Sequence, residues 1–550
     1  MNKKIAAILL SWAMMLSFIV IILEITPVVK APIILFVDDE SGTGPDNPPE
    51  NFLKIQDAIN ASSDGYIIYV YNGTYYENVI VNKTLTLIGE NKNTTIVDGG
   101  WADDPIYVLS DGVNITGFTV THSGVNWYDA GINLESVEDC RIVDNIAVEN
   151  ARGFLLYYSN RTTLSGNTAV DNWDYGFFID YSNNNSITGN NVTNSDSGIY
   201  LIYSNDNTVS RNIGWENGNG IRISDSRNIT IELNMINSSW DHGIYLYYSD
   251  ENQIADNIVS LSFDGIYLYH STMSNITNNT FYSNYYRGLY LRDSNNITLH
   301  HNNIINNTAQ VRLQNSKDIF WDDGMGEGNY WSDYTGLDDG SGGRTAGDGV
   351  GDTKIPHPFT DQGNGYYQLD NYPLVDPVGN YIFLYEGWNL VSFPFIQSDT
   401  NLGNVLSSIK GSYTAVQQYN ASDSNDPWKH NCSLKPPYMN DLYNIDHLMG
   451  FWIYITKFGG VLFEYFGVEP ATNQTITLYE GWNMVGYPSL TSYNRTDGLN
   501  NLTFGTHVDS VWTYDARAQK LKELGPSDHF KVGYGYWIRA KDECGWEVPL

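Results

Sequence analysis

Eight glycines, Gly131, Gly153, Gly176, Gly198, Gly220, Gly243, Gly265 and Gly288, follow one another at intervals of 22 or 23 residues. A period of that size, with one short apolar strand per unit, specifies a solenoid, because no single unit can bury its own apolar face. The strands read Gly-Ile-Tyr-Leu at 198, 243 and 265 and Gly-Leu-Tyr-Leu at 288, and Gln310 stands in for glycine ahead of Val311, Arg312 and Leu313. Such a glycine suits a corner that needs positive φ or a close backbone approach. Residues one and three after each glycine are apolar throughout, from Ile132 and Leu134 to Leu289 and Leu291. Period two places both on one face, directed inward. A second apolar position falls eleven after the glycine, from Ile142 to Leu299, and asparagine stands fourteen after it at 145, 167, 190, 212, 234, 257, 279 and 302. Serine falls six after it from Ser159 to Ser294, and again at Ser316. Identical polar residues stacked at turns predict hydrogen-bonded ladders between coils. The span from glycine to asparagine is always fourteen residues, whereas that from asparagine to the next glycine is eight or nine. Length variation is thus confined to one corner. The sequence specifies an all-β chain whose centre is a right-handed, single-stranded parallel β-helix.

Three segments are expected: a signal peptide or membrane anchor over residues 1–31, the β-helix with its caps over 32–376, and a different β module over 377–550. Lys3 and Lys4 precede an uncharged run from Ile5 to Leu23, long enough to span a membrane. The positive flank orients the remainder outside the cytoplasm, so contact with a membrane is expected only through this segment. Val29-Lys30-Ala31 makes a poor cleavage site, which keeps the cleaved and anchored alternatives both open. The net charge of −34 excludes nucleic acid as a partner, since phosphates would be repelled. Cys140, Cys432 and Cys544 are too few for a disulfide scaffold, although Cys432 and Cys544 could pair outside the cytoplasm. Asn-x-Ser/Thr sequons, among them Asn72, Asn228, Asn296 and Asn494, predict glycosylation. In the carboxy-terminal module, Leu384-Tyr385-Glu386-Gly387-Trp388-Asn389 returns as Leu478-Tyr479-Glu480-Gly481-Trp482-Asn483. It is therefore duplicated, with aromatic-rich repeats over about 381–470 and 475–550.

Ahead of the coils, Phe52, Ile55, Ala58 and Ile59 mark a short amphipathic capping helix. The run Ile55-Gln56-Asp57-Ala58-Ile59, then Val70-Tyr71-Asn72-Gly73-Thr74-Tyr75-Tyr76-Glu77-Asn78-Val79 and Leu87-Ile88-Gly89-Glu90, resembles the opening of β-helix proteins similar to pectin methylesterases and to the NosD-like periplasmic copper-protein family. Gly328-Asn329-Tyr330-Trp331-Ser332-Asp333-Tyr334, with Asn371-Tyr372-Pro373-Leu374, resembles the closing segment of archaeal NosD-like surface proteins. The resemblance spans about residues 35–376 and implies the fold, while function varies across such proteins. No match to the catalytic aspartate pair of pectin methylesterases occurs.

Two outward features of the coils are candidates for function. Tyr157, Tyr200, Tyr245, Tyr247, Tyr267, Tyr269 and Tyr290 lie two or four after their glycines and are expected to form an exposed band suited to stacking on sugar rings. High β-propensity, or cover by the carboxy-terminal module, would also place tyrosine there. Beside the band runs a carboxylate rim of Asp129, Asp174, Asp196, Asp241 and Asp264, the last four the candidates for chemistry, with Asp174 and Asp196 on successive coils about 5 Å apart. That rim offers an acid and base, a calcium seat, or plain turn residues. Asp338, Asp339, Asp348 and Asp352 form a second calcium candidate in a glycine-rich loop that departs from the EF-hand pattern. The adjacent His300 and His301 are expected on opposite faces of a strand, which does not support copper. The leading expectation is an exported surface protein, more scaffold than enzyme, whose partner is a glycan or a surface protein. A polysaccharide lyase or glycoside hydrolase, and a maturation factor for an extracytoplasmic metalloenzyme, are the alternatives.

Overall fold

Alternating inward residues can bury themselves only if each coil lies on the next, and the chain does this in three parallel sheets. The computed structural model describes residues 32–38, 51–346, 348–354, 357–360, 367–375, 377–379, 381–457, 461–516 and 519–550. The amino-terminal apolar run lies outside the described residues, among which no helix is long and apolar enough to cross a membrane. Among the described residues, sheet A holds 14 strands (from Ile34–Val37 and Asn51–Phe52 to Lys317–Phe320), sheet B 12 (Gly73–Tyr76 to Tyr330–Trp331) and sheet C, which contains the glycine-led strands, 11 (Val79–Val81 to Ala309–Gln314), and successive coils contribute successive strands to each. The handedness is right-handed. Register is in step with the period: Ile244 pairs with Ile266 and Leu246 with Leu268. The inward residues form one continuous core from Val37 to Tyr334. At the amino end, helix Ile55–Ala61 covers it with Ile55, Ala58 and Ile59, while Phe52 belongs to a preceding two-residue strand.

The recurring glycine solves a crowding problem. None of the eight has positive φ. A Cβ on Gly198 would sit 2.7 Å from the Gly220 carbonyl oxygen, and one on Gly243 only 2.0 Å from Val259 Cγ1. Close approach is therefore the requirement, and side chains are excluded until Gln310, the last position of the column. Positive φ is taken instead by other residues at the corners, such as Tyr158, Asp256 and His301.

The asparagine and serine ladders form as the spacing implies. Asn257 Oδ1 accepts from Asn234 N and Nδ2 at 3.0 and 2.9 Å, and its Nδ2 donates to Ile231 O, Ala255 O and Asn279 Oδ1. Ser249 N donates to Ser271 Oγ at 3.1 Å. A third column, mixed in identity, turns the chain from sheet B into sheet C at Asn150, Asn172, Ser195, Asn217, Ser239, Ser262, Asn284 and Asn307; it is linked at 150–172, 195–217, 239–262, 262–284 and 284–307 and broken where Ser195 Oγ and Ser239 Oγ accept no bond.

The carboxyl end is closed by Trp321, Trp331 and Tyr334, which cover the last coil. Buried Asp370 clamps that lid: its carboxylate accepts from Trp331 Nε1 at 2.8 Å, Asn329 N at 3.0 Å and Tyr372 N at 2.9 Å. Beyond it, two four-stranded antiparallel sheets with the same strand order carry separate cores. The two repeats lock reciprocally, Tyr419 of the first against Trp537 at 5.3 Å and Tyr514 of the second against Trp452 at 4.7 Å. Cys432 and Cys544 lie in different repeats and remain free thiols, so the possible disulfide does not form. The first repeat docks near the end of sheet B, where Asn303 exchanges two hydrogen bonds with Val378 and Phe383 packs on Ile305.

Candidate functional site

Coils of 22 residues pass from the third column to the glycine with two residues between; coils of 23 need three. The surplus residue cannot pair with both neighbouring coils. Trp240 N donates to Asn217 O of the preceding coil, but towards the following coil Phe263 N bonds Ser239 O and Asp264 N bonds Asp241 O, so the Trp240 carbonyl is skipped there and the residue bulges outward. Tyr285 is skipped in the same way between Asn284 and Tyr286. The surplus residues of the three long coils are Trp173, Trp240 and Tyr285, which are 58%, 64% and 66% exposed. Phe263 is exposed between the latter two, and longer loops at the same corner carry exposed Trp101 and Trp127. Trp101 stacks on Trp173 at 5.3 Å. Between Trp173 and Trp240 the corner holds only Asp196 and Gly218, which leaves a notch spanning three coil steps, about 14 Å.

The carboxylate rim lies along this corner, but its members differ in state. Asp174 is bound by the fully buried Arg152 from the preceding coil, Nη2 to Oδ2 at 2.8 Å. Asp264 is buried and held bidentately by Arg287 at 2.6 Å through both Nε and Nη2, with His242 Nδ1 at 3.2 Å. Burial pushes the Asp264 carboxyl up, yet the His242 and Arg287 contacts outweigh it and hold it below the usual carboxylate range. Both arginine partners come from an adjacent coil, Arg152 from the one before Asp174 and Arg287 from the one after Asp264. Asp196 in the notch and Asp241 next to Trp240 at its edge are both exposed. Desolvation raises the Asp196 pKa, Arg222 lowers it, and Asp174 and Asp241 raise it further, for a net rise. The four candidates are thus two neutralised carboxylates and two open ones, which suits hydrogen bonding to hydroxyls.

The tyrosine band differs from expectation. Tyr200 and Tyr290 are each 6% exposed. The side chains two after the glycine stack on one another along the axis: Phe178 on Tyr200, Arg222 between Tyr200 and Tyr245, then Tyr245, Tyr267 and Tyr290, with Arg312 beyond. Tyr245 and Tyr267 lie 5.1 Å apart and Tyr267 and Tyr290 4.4 Å apart, both nearly parallel. Coil spacing equals ring spacing, so each face is spent on its neighbour and none is left for a sugar. Tyr157, Tyr247 and Tyr269, four after their glycines, are half-buried. The carboxy-terminal module docks on sheet B and leaves the sheet C band uncovered at that contact.

In the acidic loop, Asp352 Oδ2 accepts from Asp339 N and Gly340 N, Asp338 Oδ2 from Gly349 N, Asp339 Oδ1 from Ser341 N and Asp348 Oδ1 from Val350 N. These carboxylates brace the loop's own backbone. His300 and His301 do not point apart. His301 adopts φ 56° at the corner, which swings its ring back, and the two Nδ1 atoms lie 3.0 Å from each other.

The fold and this corner define a parallel β-helix protein with exposed aromatic and acidic side chains along one corner of the solenoid. A family model described as "Periplasmic copper-binding protein (NosD)" matches residues 58–213 and 178–336, which together run over just more than half of the 550 residues. The chain belongs to that family. A cell surface glycoprotein of Methanothermus fervidus is 36% identical over 108 residues, 19% of this chain, and the match spans 17% of that protein. Among solved structures, the mannuronan C-5 epimerase AlgE4 A-module of Azotobacter vinelandii is 13% identical with a TM-score of 0.35, over 48% of this chain and 89% of that one. DFA-IIIase from Arthrobacter chlorophenolicus A6 is 14% identical with a TM-score of 0.37, over 50% and 86%.

Copper in the family description calls for nitrogen or sulfur donors. Among the described residues, two groups bring three metal-ligating side chains together, Asp103 with Asp104 and Asp129, and His301 with Asp323 and Glu327. The all-carboxylate group does not suit copper. The second, one imidazole with two carboxylates, fits a divalent copper or zinc ion.

Proposed function

We propose that this chain is an extracytoplasmic surface protein that holds an extended polysaccharide along the corner between sheets B and C. One observation carries the reading: each of the three surplus residues in the 23-residue coils is a large, exposed aromatic. Slack in a solenoid corner is ordinarily filled by small polar residues, and exposed aromatics in register mark a binding surface. Unlike the stacked tyrosines, Trp240 and Tyr285 bulge away from the sheet. The open carboxylates of Asp196 and Asp241 supply acceptors for sugar hydroxyls between the aromatic platforms. Kinship with a family described as periplasmic and with a cell surface glycoprotein supports the location. Binding without cleavage is favoured because Asp174 and Asp264 are already paired with arginine.

The test is a panel of acidic and neutral polysaccharides scored for retention and for new chain ends. The parent is expected to bind at least one without producing ends. Trp173→Ala with Trp240→Ala should weaken binding by about 1–3 kcal/mol, at roughly 0.5–1.5 kcal/mol per ring. Parent-like binding by that double variant would remove the corner from consideration. New chain ends that vanish in Asp196→Asn would replace the binding reading with an enzymatic one.

A further inference from the structure

The last coil departs from the fourteen-residue rule. Asn329 continues the asparagine ladder, accepting from Asn302 N at 3.1 Å, yet it lies nineteen residues after Gln310. The additional chain forms a loop over 322–328, whose two ends are fixed: Asn329 Nδ2 donates to Trp321 O at 3.0 Å, and Gly328 N donates to Tyr372 O at 2.9 Å. Asp323 organises the loop. Its Oδ1 accepts from Met325 N at 2.7 Å, Gly326 N at 2.9 Å and Glu327 N at 3.0 Å, which leaves its second oxygen for another partner.

This loop stands against the corner of the preceding coil, where His301 N donates to Gly328 O at 2.6 Å. Glu327 Oε2 lies 2.8 Å from His301 Nε2, and one ligand atom each from His301, Asp323 and Glu327 falls within 4.8 Å of the others. Behind the ring, His300 Nδ1 contacts His301 Nδ1 at 3.0 Å. A second imidazole in that position fixes the ring's orientation and turns Nε2 towards the carboxylates, the arrangement by which supporting partners hold a ligating histidine. Glu327 is 56% exposed at its side chain and His301 25%, so solvent reaches the group from one side.

We propose that His301, Asp323 and Glu327 form a binding site for a divalent transition cation, with His300 as the positioning residue. One nitrogen and two carboxylate oxygens suit zinc or copper(II) and leave coordination positions open to water or to a ligand. Hard cations such as calcium, which take six to eight oxygens, do not fit three donors that include an imidazole. The site lies at a different corner from the exposed aromatics and does not depend on the glycan reading.

The test titrates the chelator-treated full chain with Zn²⁺ alone and, separately, with Cu²⁺ alone, by calorimetry. Electron paramagnetic resonance of the Cu²⁺ form reports the donor nitrogens. One equivalent of either ion is expected, with coupling to a single imidazole and no displacement by millimolar Ca²⁺. His301→Gln and Glu327→Gln should each weaken binding at least about tenfold, and His300→Gln by about 10–100-fold through lost orientation. Trp173→Ala should bind as the parent does. Because Glu327 is exposed, Glu327→Gln carries the test should a histidine variant fail to fold. Absence of binding in the parent, or undiminished binding in both His301→Gln and Glu327→Gln, would overturn the site.

Discussion

Asn257 shows how much a single polar residue contributes when it repeats. It is fully buried and joins three coils through both ends of its amide. Asn257→Ala leaves Asn234 N and Ile231 O buried without these partners, at about 1–3 kcal/mol for each group, so a loss of roughly 2–6 kcal/mol is expected in chemical denaturation. A loss under about 0.5 kcal/mol would mean that the ladder adds nothing. Asp104 works in the opposite sense. Burial lifts its pKa to about 7 against the opposing bonds from Ala130 N and Asn133 Nδ2, with Asp103 and Asp129 adding to the rise. The folded chain therefore binds this proton more tightly than the unfolded chain does. Its contribution to stability is full below about pH 4 and is lost as pH rises towards 7, by up to about 4 kcal/mol. Denaturation midpoints taken from pH 4 to 8 should fall over that window in the parent and fall less in Asp104→Asn. Equal slopes would show that Asp104 is not the group responsible.

At the scale of the strand, the same alternation places two kinds of residue under different constraints. Leu268 sits between Leu246 and Leu291 on the inner face with no exposure. Leu268→Asp should abolish folding, because a carboxylate there has neither water nor a partner. A secreted variant with parent-like circular dichroism and melting would refute the inward assignment. Tyr267, on the outer face, is held between the rings of Tyr245 and Tyr290. Tyr267→Ala is expected to lower stability by about 1–3 kcal/mol, two ring contacts at roughly 0.5–1.5 kcal/mol each, while leaving polysaccharide retention intact. Trp240→Ala should do the reverse, since the exposed indole packs on no neighbouring ring and the backbone bond from Trp240 N to Asn217 O is kept in the variant. The pair of variants separates aromatics that build the solenoid from those that face a ligand. Retention lost in Tyr267→Ala at unchanged stability would invert the assignment.

For the whole molecule, stability depends on both open ends being closed, as in other solenoids. The amino end uses the helix Ile55–Ala61, whose first amides Ile55 N and Gln56 N donate to Glu77 at 2.8 and 3.1 Å. The carboxyl end depends on Asp370, which reaches back to Asn329 and Trp331. Asp370→Ala removes three hydrogen bonds, two of them fully buried, and should cost about 3 kcal/mol or more, with amide exchange rising first in the last coils. Uniform loss of protection along the whole solenoid would instead indicate that the ends do not unfold independently.

The sequence alone determined the coil, its register and its two invariant ladders, because a strict period fixes which residues must stack on which. It also located the corner where length varies. The aromatic surplus was legible there too: Trp173, Trp240 and Tyr285 are the residues gained by the longer coils. They carry no periodic signal of their own, and the third column, in which asparagine and serine are mixed without order, obscures the register. Other features were decided only in three dimensions. Ring spacing matched to coil spacing closed the tyrosine band upon itself, and arginines from adjacent coils neutralised Asp174 and Asp264. A left-handed backbone turn at His301 brought two histidines together, and a loop from the next coil supplied their carboxylates. Local periodicity says which way a side chain leaves the chain, whereas contact across coils and inserted loops says what it meets.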